Sequence, residues 1–309
     1  MKLGIFDGRI GEVRGDVVVD RGPGTSVLGQ LGEPQGEIPL DDVRWQLPFE
    51  VADYVDFYSS LEHATNMGRM FRPDQEPLTP NWRHLPIGYH GRAGTVVVSG
   101  TDIQRPYGQR GPGDFGPSRK LDIELELGFV IGEPADGPVP VEHALEHVFG
   151  AVLLNDWSAR DIQAFEYVPL GPFLGKSFAT SISATVTTLD ELTVVPGREQ
   201  EPQPLEYLRI DNFVFDIPLE VELNGKVISR TNARHLYWNV AQQVAHLTSN
   251  GATLRMGDLL ASGTISGAGE REWGSLIELT WNEGPFLQDG EEVVLRGQGL
   301  GEVRGRIIR

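Results

Sequence analysis

Apolar positions along this chain recur mostly in short alternating or continuous runs. Such runs predict strands over residues 95–100, 121–131, 148–154, 184–189, 213–223, 275–281 and 292–296. Helical spacing is rarer and predicts helices over 141–147, 158–165 and 233–248. The expected fold class is therefore mainly β with accessory helices, an α+β arrangement. From Met1 to Asp20 alternating segments are broken by Asp7-Gly8 and Gly15-Asp16, the punctuation of a small antiparallel element. A Gly- and Pro-rich stretch from Gly22 to Pro39 reads as a loop or boundary. The division expected is a short N-terminal β appendage, residues 1–47, and a main domain, residues 48–309.

Composition narrows the chemistry. With 39% hydrophobic and 23% charged residues, the chain falls among ordinary globular proteins. Its formal charge of −18 repels a phosphate backbone and sets nucleic acid aside as a partner. The same charge repels a small dianion at long range, so any anion site must rest on local Arg, Lys and Tyr residues. The absence of cysteine excludes disulfides, thiol nucleophiles and Cys-based zinc sites. The start reads as free of a signal peptide, no apolar run approaches membrane-spanning length, and the cytoplasm is the default compartment.

Three motifs could mislead. His143, Glu146 and His147 match the H-x-x-E-H spelling of inverted zinc peptidases, but the segment follows Pro138-Val139-Pro140 and is short and charge-rich, like a solvated surface helix. Gly171 to Ser177 resembles a phosphate loop, with three residues between its glycines where four are needed. Gly111 to Gly116 spells a dinucleotide fingerprint with no strand before it and no helix after it.

The carboxylates carry more. In a strand over 121–131, Asp122, Glu124 and Glu126 share one face and the aliphatic residues the other; taken alone, this is a solvent-facing strand. Asp156, however, ends an apolar strand just before a helix that Ser158 would open, where sites collect. Were Asp156 and Asp56 to meet Glu124 and Glu126, four carboxylates would be untenable without a hard divalent cation or partial protonation. Calcium or magnesium suits such oxygen ligands better than zinc. Arg160, Gln163 and Tyr167 follow at i, i+3 and i+7, a stripe of hydrogen-bond donors, and Lys176 lies in a Gly-bounded turn.

The segments Asp53 to Asn66, Pro80 to Arg92, Asn155 to Gln163, Pro169 to Ser177 and Leu260 to Gly267 resemble, in order, those of the fumarylacetoacetate hydrolase family. The resemblance runs from about Pro48 to Val294 and implies a mixed β-sandwich roll working as a homodimer. It implies a metal-dependent hydrolase that cleaves a carbon–carbon bond of a dicarboxylate diketone, 4-fumarylacetoacetate, giving fumarate and acetoacetate at the end of tyrosine and phenylalanine breakdown. By resemblance Asp56, Glu124, Glu126 and Asp156 hold calcium or magnesium, and Lys176 and Thr180 contribute to a second cation site. His63 is the implied general base and Glu278 its orienting partner. Arg160, Gln163 and Lys176 form the implied oxyanion-stabilising group, while Tyr58, Arg72, Tyr89, Gln163, Tyr167 and Thr264 form the implied substrate-binding set. The larger family members carry a longer N-terminal domain, and this chain also closes earlier at its C-terminal end. Alternatives are an acylpyruvate hydrolase or β-keto acid decarboxylase of the same fold, a zinc peptidase using His143 and His147, or a non-catalytic binding module.

Overall fold

The segments Leu125–Ile131 and Val148–Asp156 are apolar on both faces, so both faces of any sheet they form must be covered. In the computed structural model, which describes all 309 residues, they pair antiparallel in the middle of a thirteen-stranded mixed sheet, with Gly128 opposite Val152 and Glu126 opposite Leu154. Beyond Leu125–Ile131 lie Leu259–Ala261, then Tyr54–Phe57 running parallel to it, then Gly88–His90. Beyond Val148–Asp156 lies Thr185–Thr188, which pairs with Lys2–Phe6 and so joins the N-terminal strands Arg9–Arg14, Val17–Pro23 and Gly36–Pro39 to the same sheet. A second sheet of five strands holds Lys226–Asn232, Pro218–Leu223, Glu292–Gly297, Gly301–Ile308 and Ile103–Gln104. The architecture is mostly β with few helices, as the pattern predicts.

Strand parity decides which side chains meet. Leu127, Phe129 and Ile131 point into the larger core, where Phe129 lies against Phe215 with ring centroids 5.8 Å apart. Val130, Val152, Leu154, Tyr54 and Leu259 point into a smaller core on the opposite face. Counting by two, Glu126 falls on the side of Val130, Asp156 on that of Leu154, and Asp56 on that of Tyr54. Three acids from three strands thus share one face near the strand ends.

The structure departs from the pattern in several places. Residues 275–281, expected as a strand, form a helical turn, Leu276–Leu279. A short apolar run does not distinguish the two, and here the buried carboxylate of Asp122 accepts the amides of Leu276 and Ile277 at 2.7 and 3.1 Å, which favours helix. Residues 121–131 are not one strand: Leu121–Asp122 pairs with Ser158–Ala159, and pairing with Val148–Asp156 starts only at Leu125. Ser158 does not open the following helix; its hydroxyl donates to the Asp156 carbonyl, and Arg160–Glu166 has no side-chain cap. Val141–His147 is a 3-10 helix between prolines and a strand. Residues 233–248 divide into a 3-10 turn, Ala233–His235, and the helix Val240–Thr248, capped by Asn239 and Gln242. The helix Leu61–Phe71 is absent from the predicted elements, although Leu61, Ala64, Met67 and Phe71 recur at helical spacing. No helix is long and apolar enough to cross a membrane.

Candidate active site

Carboxylate oxygens of Asp56, Glu124, Glu126 and Asp156 lie within 4.8 Å of one another, and all four residues are buried. Asp56 comes from Tyr54–Phe57, Glu126 from Leu125–Ile131 and Asp156 from the end of Val148–Asp156, while Glu124 occupies the break before Leu125. The solvent-facing strand that the alternation taken alone suggests is not formed: Asp122, Glu124 and Glu126 are 0, 5 and 0% exposed, and Glu124 and Glu126 meet Asp56 and Asp156. Asp156 accepts from the Tyr89 hydroxyl at 2.8 Å, from Lys176 Nζ at 2.8 Å and from Thr180 Oγ1 at 3.0 Å. Lys176 also donates to Glu124, and Arg160 Nη1 lies 2.7 Å from the other oxygen of Glu124. Lys176 and Thr180 therefore both bond to the carboxylate cluster through Asp156.

The cluster is short of positive charge. Burial first, and the neighbouring Asp156 next, push the Asp56 carboxyl well above the ordinary range. Burial and then Asp56 do the same to Glu126. Burial also acts on Glu124, but Lys176, Arg160 and His63 outweigh it and hold that carboxyl low. Asp56 Oδ1 and Glu126 Oε1 are buried with no hydrogen-bond partner. Two orphaned acceptors facing a surplus of negative charge are what a hard divalent cation would satisfy, and the all-oxygen donor set fits such an ion. His143, Glu146 and His147 form no comparable group: they are outside the buried cluster, His143 Nδ1 is on Glu146 at 2.8 Å, and His147 Nδ1 is on the Glu133 carbonyl at 2.9 Å. The resemblance of 171–177 to a phosphate loop is not realised, since Leu174–Ser177 is a single helical turn, and 111–116 belongs to the hairpin Tyr107–Gly111 and Asp114–Pro117.

Beside the cluster a cavity of about 490 Å3 opens to the surface. Asp56 and Glu124 of the cluster, with Lys176, line it together with Tyr58, His63, Arg72, Tyr89, Thr264, Arg160, Gln163 and Tyr167. His63 sits in the first turn of Leu61–Phe71, whose N-cap is Ser60. Its Nδ1 is 2.7 Å from Glu278 Oε2, and the Tyr58 ring meets it edge-on at 5.4 Å between centroids. Glu278 is fully buried and also accepts from Asn66, Ser266 and Ser275 at 2.9, 3.0 and 2.6 Å. Burial would raise its carboxyl, but His63 and these donors outweigh burial and hold it below the ordinary value. Arg72, at the end of the His63 helix, donates to the Pro77 carbonyl at 2.8 Å. Arg160 Nη2 and Thr264 Oγ1 are buried without a protein partner.

Sequence reasoning missed the residues that hold this set in place. Asp122 carries Arg160 Nε at 2.8 Å, and the Gly263 amide donates to Glu126 at 2.9 Å. The signal for Asp122 was its place in the acidic alternation; for Gly263 it was a glycine inside an apolar strand end, and its φ of +78° is one that few other residues adopt.

An imidazole held from behind by a buried carboxylate, next to acids that call for a divalent cation, defines a cation-binding enzyme of the hydrolase type. The family model described as fumarylacetoacetate (FAA) hydrolase C-terminal matches residues 53–308. A fumarylacetoacetase of Rattus norvegicus is 49% identical, covering 85% of this chain and 71% of its own. This chain belongs to the fumarylacetoacetate hydrolase family. Among solved structures, a fumarylacetoacetate hydrolase of Exiguobacterium antarcticum has a TM-score of 0.72 at 22% identity, covering 100% of this chain and 99% of its own. A maleylpyruvate hydrolase of a Sphingobium species, solved with manganese(II) and pyruvate, has a TM-score of 0.64 at 18% identity over 100% and 99% of the two chains. At those identities the two structures share the fold.

Proposed function

We propose that this chain hydrolyses 4-fumarylacetoacetate to fumarate and acetoacetate, with His63 as general base and Asp56, Glu124, Glu126 and Asp156 as ligands of calcium or magnesium. The reading rests above all on His63 Nδ1 lying 2.7 Å from Glu278 while His63 lines the same cavity as Asp56 and Glu124 of the carboxylate cluster. Glu278 fixes the tautomer with the proton on Nδ1, so Nε2 is free to accept a proton from water. The resulting hydroxide adds to the carbonyl carbon next to the fumaryl double bond. Arg160, Gln163 and Lys176 supply donors toward the oxygen that gains charge, Arg160 through its unpartnered Nη2. Collapse of the adduct breaks the carbon–carbon bond, fumarate leaves, and the electron pair passes to acetoacetate as an enolate that regains the proton from His63. A bound divalent cation would supply Lewis acidity and a template for the diketone oxygens. Arg72 offers a bidentate fork to one terminal carboxylate, with Tyr58, Tyr89, Tyr167 and Thr264 completing the substrate wall.

The same reading includes a homodimer. Exposed apolar side chains gather beside the cavity mouth, with Leu170 96%, Val168 68% and Phe173 67% exposed, a patch that a second copy would cover. The substrate test is direct: purified protein is given fumarylacetoacetate and, separately, acylpyruvates, and loss of diketone absorbance is followed. Release of fumarate and acetoacetate in equal amounts is expected; preference for acylpyruvates would replace the substrate proposed.

A further inference from the structure

Asp122 lies outside the cavity and outside the cation cluster, yet it touches two parts of the catalytic apparatus at once. It is fully buried, and its two oxygens accept four hydrogen bonds. Oδ1 takes the amides of Ile123 and Leu276, both at 2.7 Å; Oδ2 takes Arg160 Nε at 2.8 Å and the Ile277 amide at 3.1 Å. Leu276 and Ile277 immediately precede Glu278, the partner of His63. The guanidinium of Arg160 is meanwhile held at Nε by Asp122 and at Nη1 by Glu124, which leaves Nη2 buried with no protein partner at the cavity wall.

We infer that Asp122 is a positioning residue: its carboxylate fixes the Arg160 guanidinium, with Nη2 turned to the cavity, and the Glu278 turn in one register, so that the donor for the developing oxyanion and the His63 base are set relative to one another. The inference deepens the hydrolase reading and rests on it for its kinetic consequence. The physical reason is that a guanidinium with one carboxylate partner is free to swing into a two-pronged contact with it. Without Asp122, Arg160 would satisfy itself on Glu124 with two nitrogens and withdraw the third from substrate. An asparagine at this place keeps an acceptor for the Ile123 and Leu276 amides but turns an amide N–H toward both Arg160 Nε–H and the Ile277 N–H, so Asp122→Asn breaks the guanidinium contact and one of the two contacts to the turn.

The test has kinetic and spectroscopic arms. D122N is expected to lower kcat roughly tenfold to a hundredfold, the scale of a misplaced catalytic group, with KM changed less than about threefold. In an Arg160→Ala background the same substitution should cost clearly less than in the parent, since only the share that acts through the Glu278 turn is left. The spectroscopic arm needs no turnover. In 15N-labelled protein the Arg160 Nε–H, assigned by its disappearance in R160A, should exchange slowly with water in the unsubstituted chain and rapidly in D122N. Failure of the unsubstituted chain to turn over fumarylacetoacetate would sink the hydrolase reading while a protected Arg160 Nε–H still upheld the positioning contact. Free exchange of that proton in the unsubstituted chain would overturn the inference even if D122N did not fold. A folded D122N with kcat within about twofold of the parent, or losses in D122N and R160A that multiply independently, would overturn it on the kinetic side.

Discussion

His63 and Glu278 lie 215 positions apart in the sequence and 2.7 Å apart in space, and the smallest events of the proposed chemistry belong to that contact. Replacing His63 by Ala should lower kcat by about a hundredfold or more, the usual worth of a positioned base, and should also lower the thermal midpoint, because buried Glu278 loses a hydrogen-bond partner. A loss under about threefold in a folded variant would remove His63 from the mechanism. Glu278 makes a prediction about pH. Burial opposes its charge, but His63, Ser275 and Asn66 outweigh burial and hold its carboxyl below the ordinary 4.5. A carboxyl depressed in the folded state contributes stability that is present above its unfolded value and is lost as pH falls through the folded value. Unfolding midpoints of the parent and Glu278→Gln should therefore differ most near neutrality and converge below about pH 4.5. A difference that grew on acidification would contradict this sign.

Elements deliver these side chains, and their legibility in the sequence was uneven for physical reasons. The central strands were readable because runs such as Val148–Asp156 are apolar on both faces and end in a lone acid. The 3-10 segment Val141–His147 and the turn Leu276–Leu279 were not, because tertiary partners rather than local pattern decide them; the second is held by a carboxylate from residue 122. The role of His63 is legible only through its motif, because helical spacing of Leu61, Ala64, Met67 and Phe71 marks an amphipathic helix without saying what its histidine does. The acidic alternation at 122, 124 and 126 correctly marked a special segment, yet periodicity could not show that the segment breaks at Ile123 and Glu124, sending Asp122 to Arg160 and Glu126 to the cluster. At this scale Gly263 is the sharpest test. A Cβ added there would lie 2.2 Å from the Phe57 carbonyl oxygen, at a φ of +78°. Gly263→Ala should cost about 2 kcal/mol or more of stability and weaken calcium or magnesium binding through the amide it presents to Glu126, as read by denaturation and calorimetric titration. By contrast Asn239→Ala, which removes the capping box of Val240–Thr248 and touches neither the cavity lining nor the four acids, should cost about 1 kcal/mol or more and leave kcat unchanged.

For the whole molecule, strands of the large sheet and of the five-stranded sheet share the main core, and Asp56 and Glu124 of the carboxylate cluster reach the cavity. A cation bound only by the folded chain stabilises it in proportion to the logarithm of its concentration, about 2.7 kcal/mol at a hundred times the dissociation constant. Removing divalent ions with a chelator should lower the thermal midpoint, and returning calcium or magnesium should restore it, an effect that Glu126→Gln should reduce. The account as a whole turns on whether the four acids hold one ion beside His63. The most direct measurement is a crystal structure of the chain grown with manganese and acetoacetate, the ion located by its anomalous scattering. The account predicts a strong peak coordinated by oxygens of Asp56, Glu124, Glu126 and Asp156, with acetoacetate in the adjoining cavity. The lack of any peak at the four acids, with these still bonded only to Lys176, Arg160 and Tyr89 at saturating manganese, would contradict it.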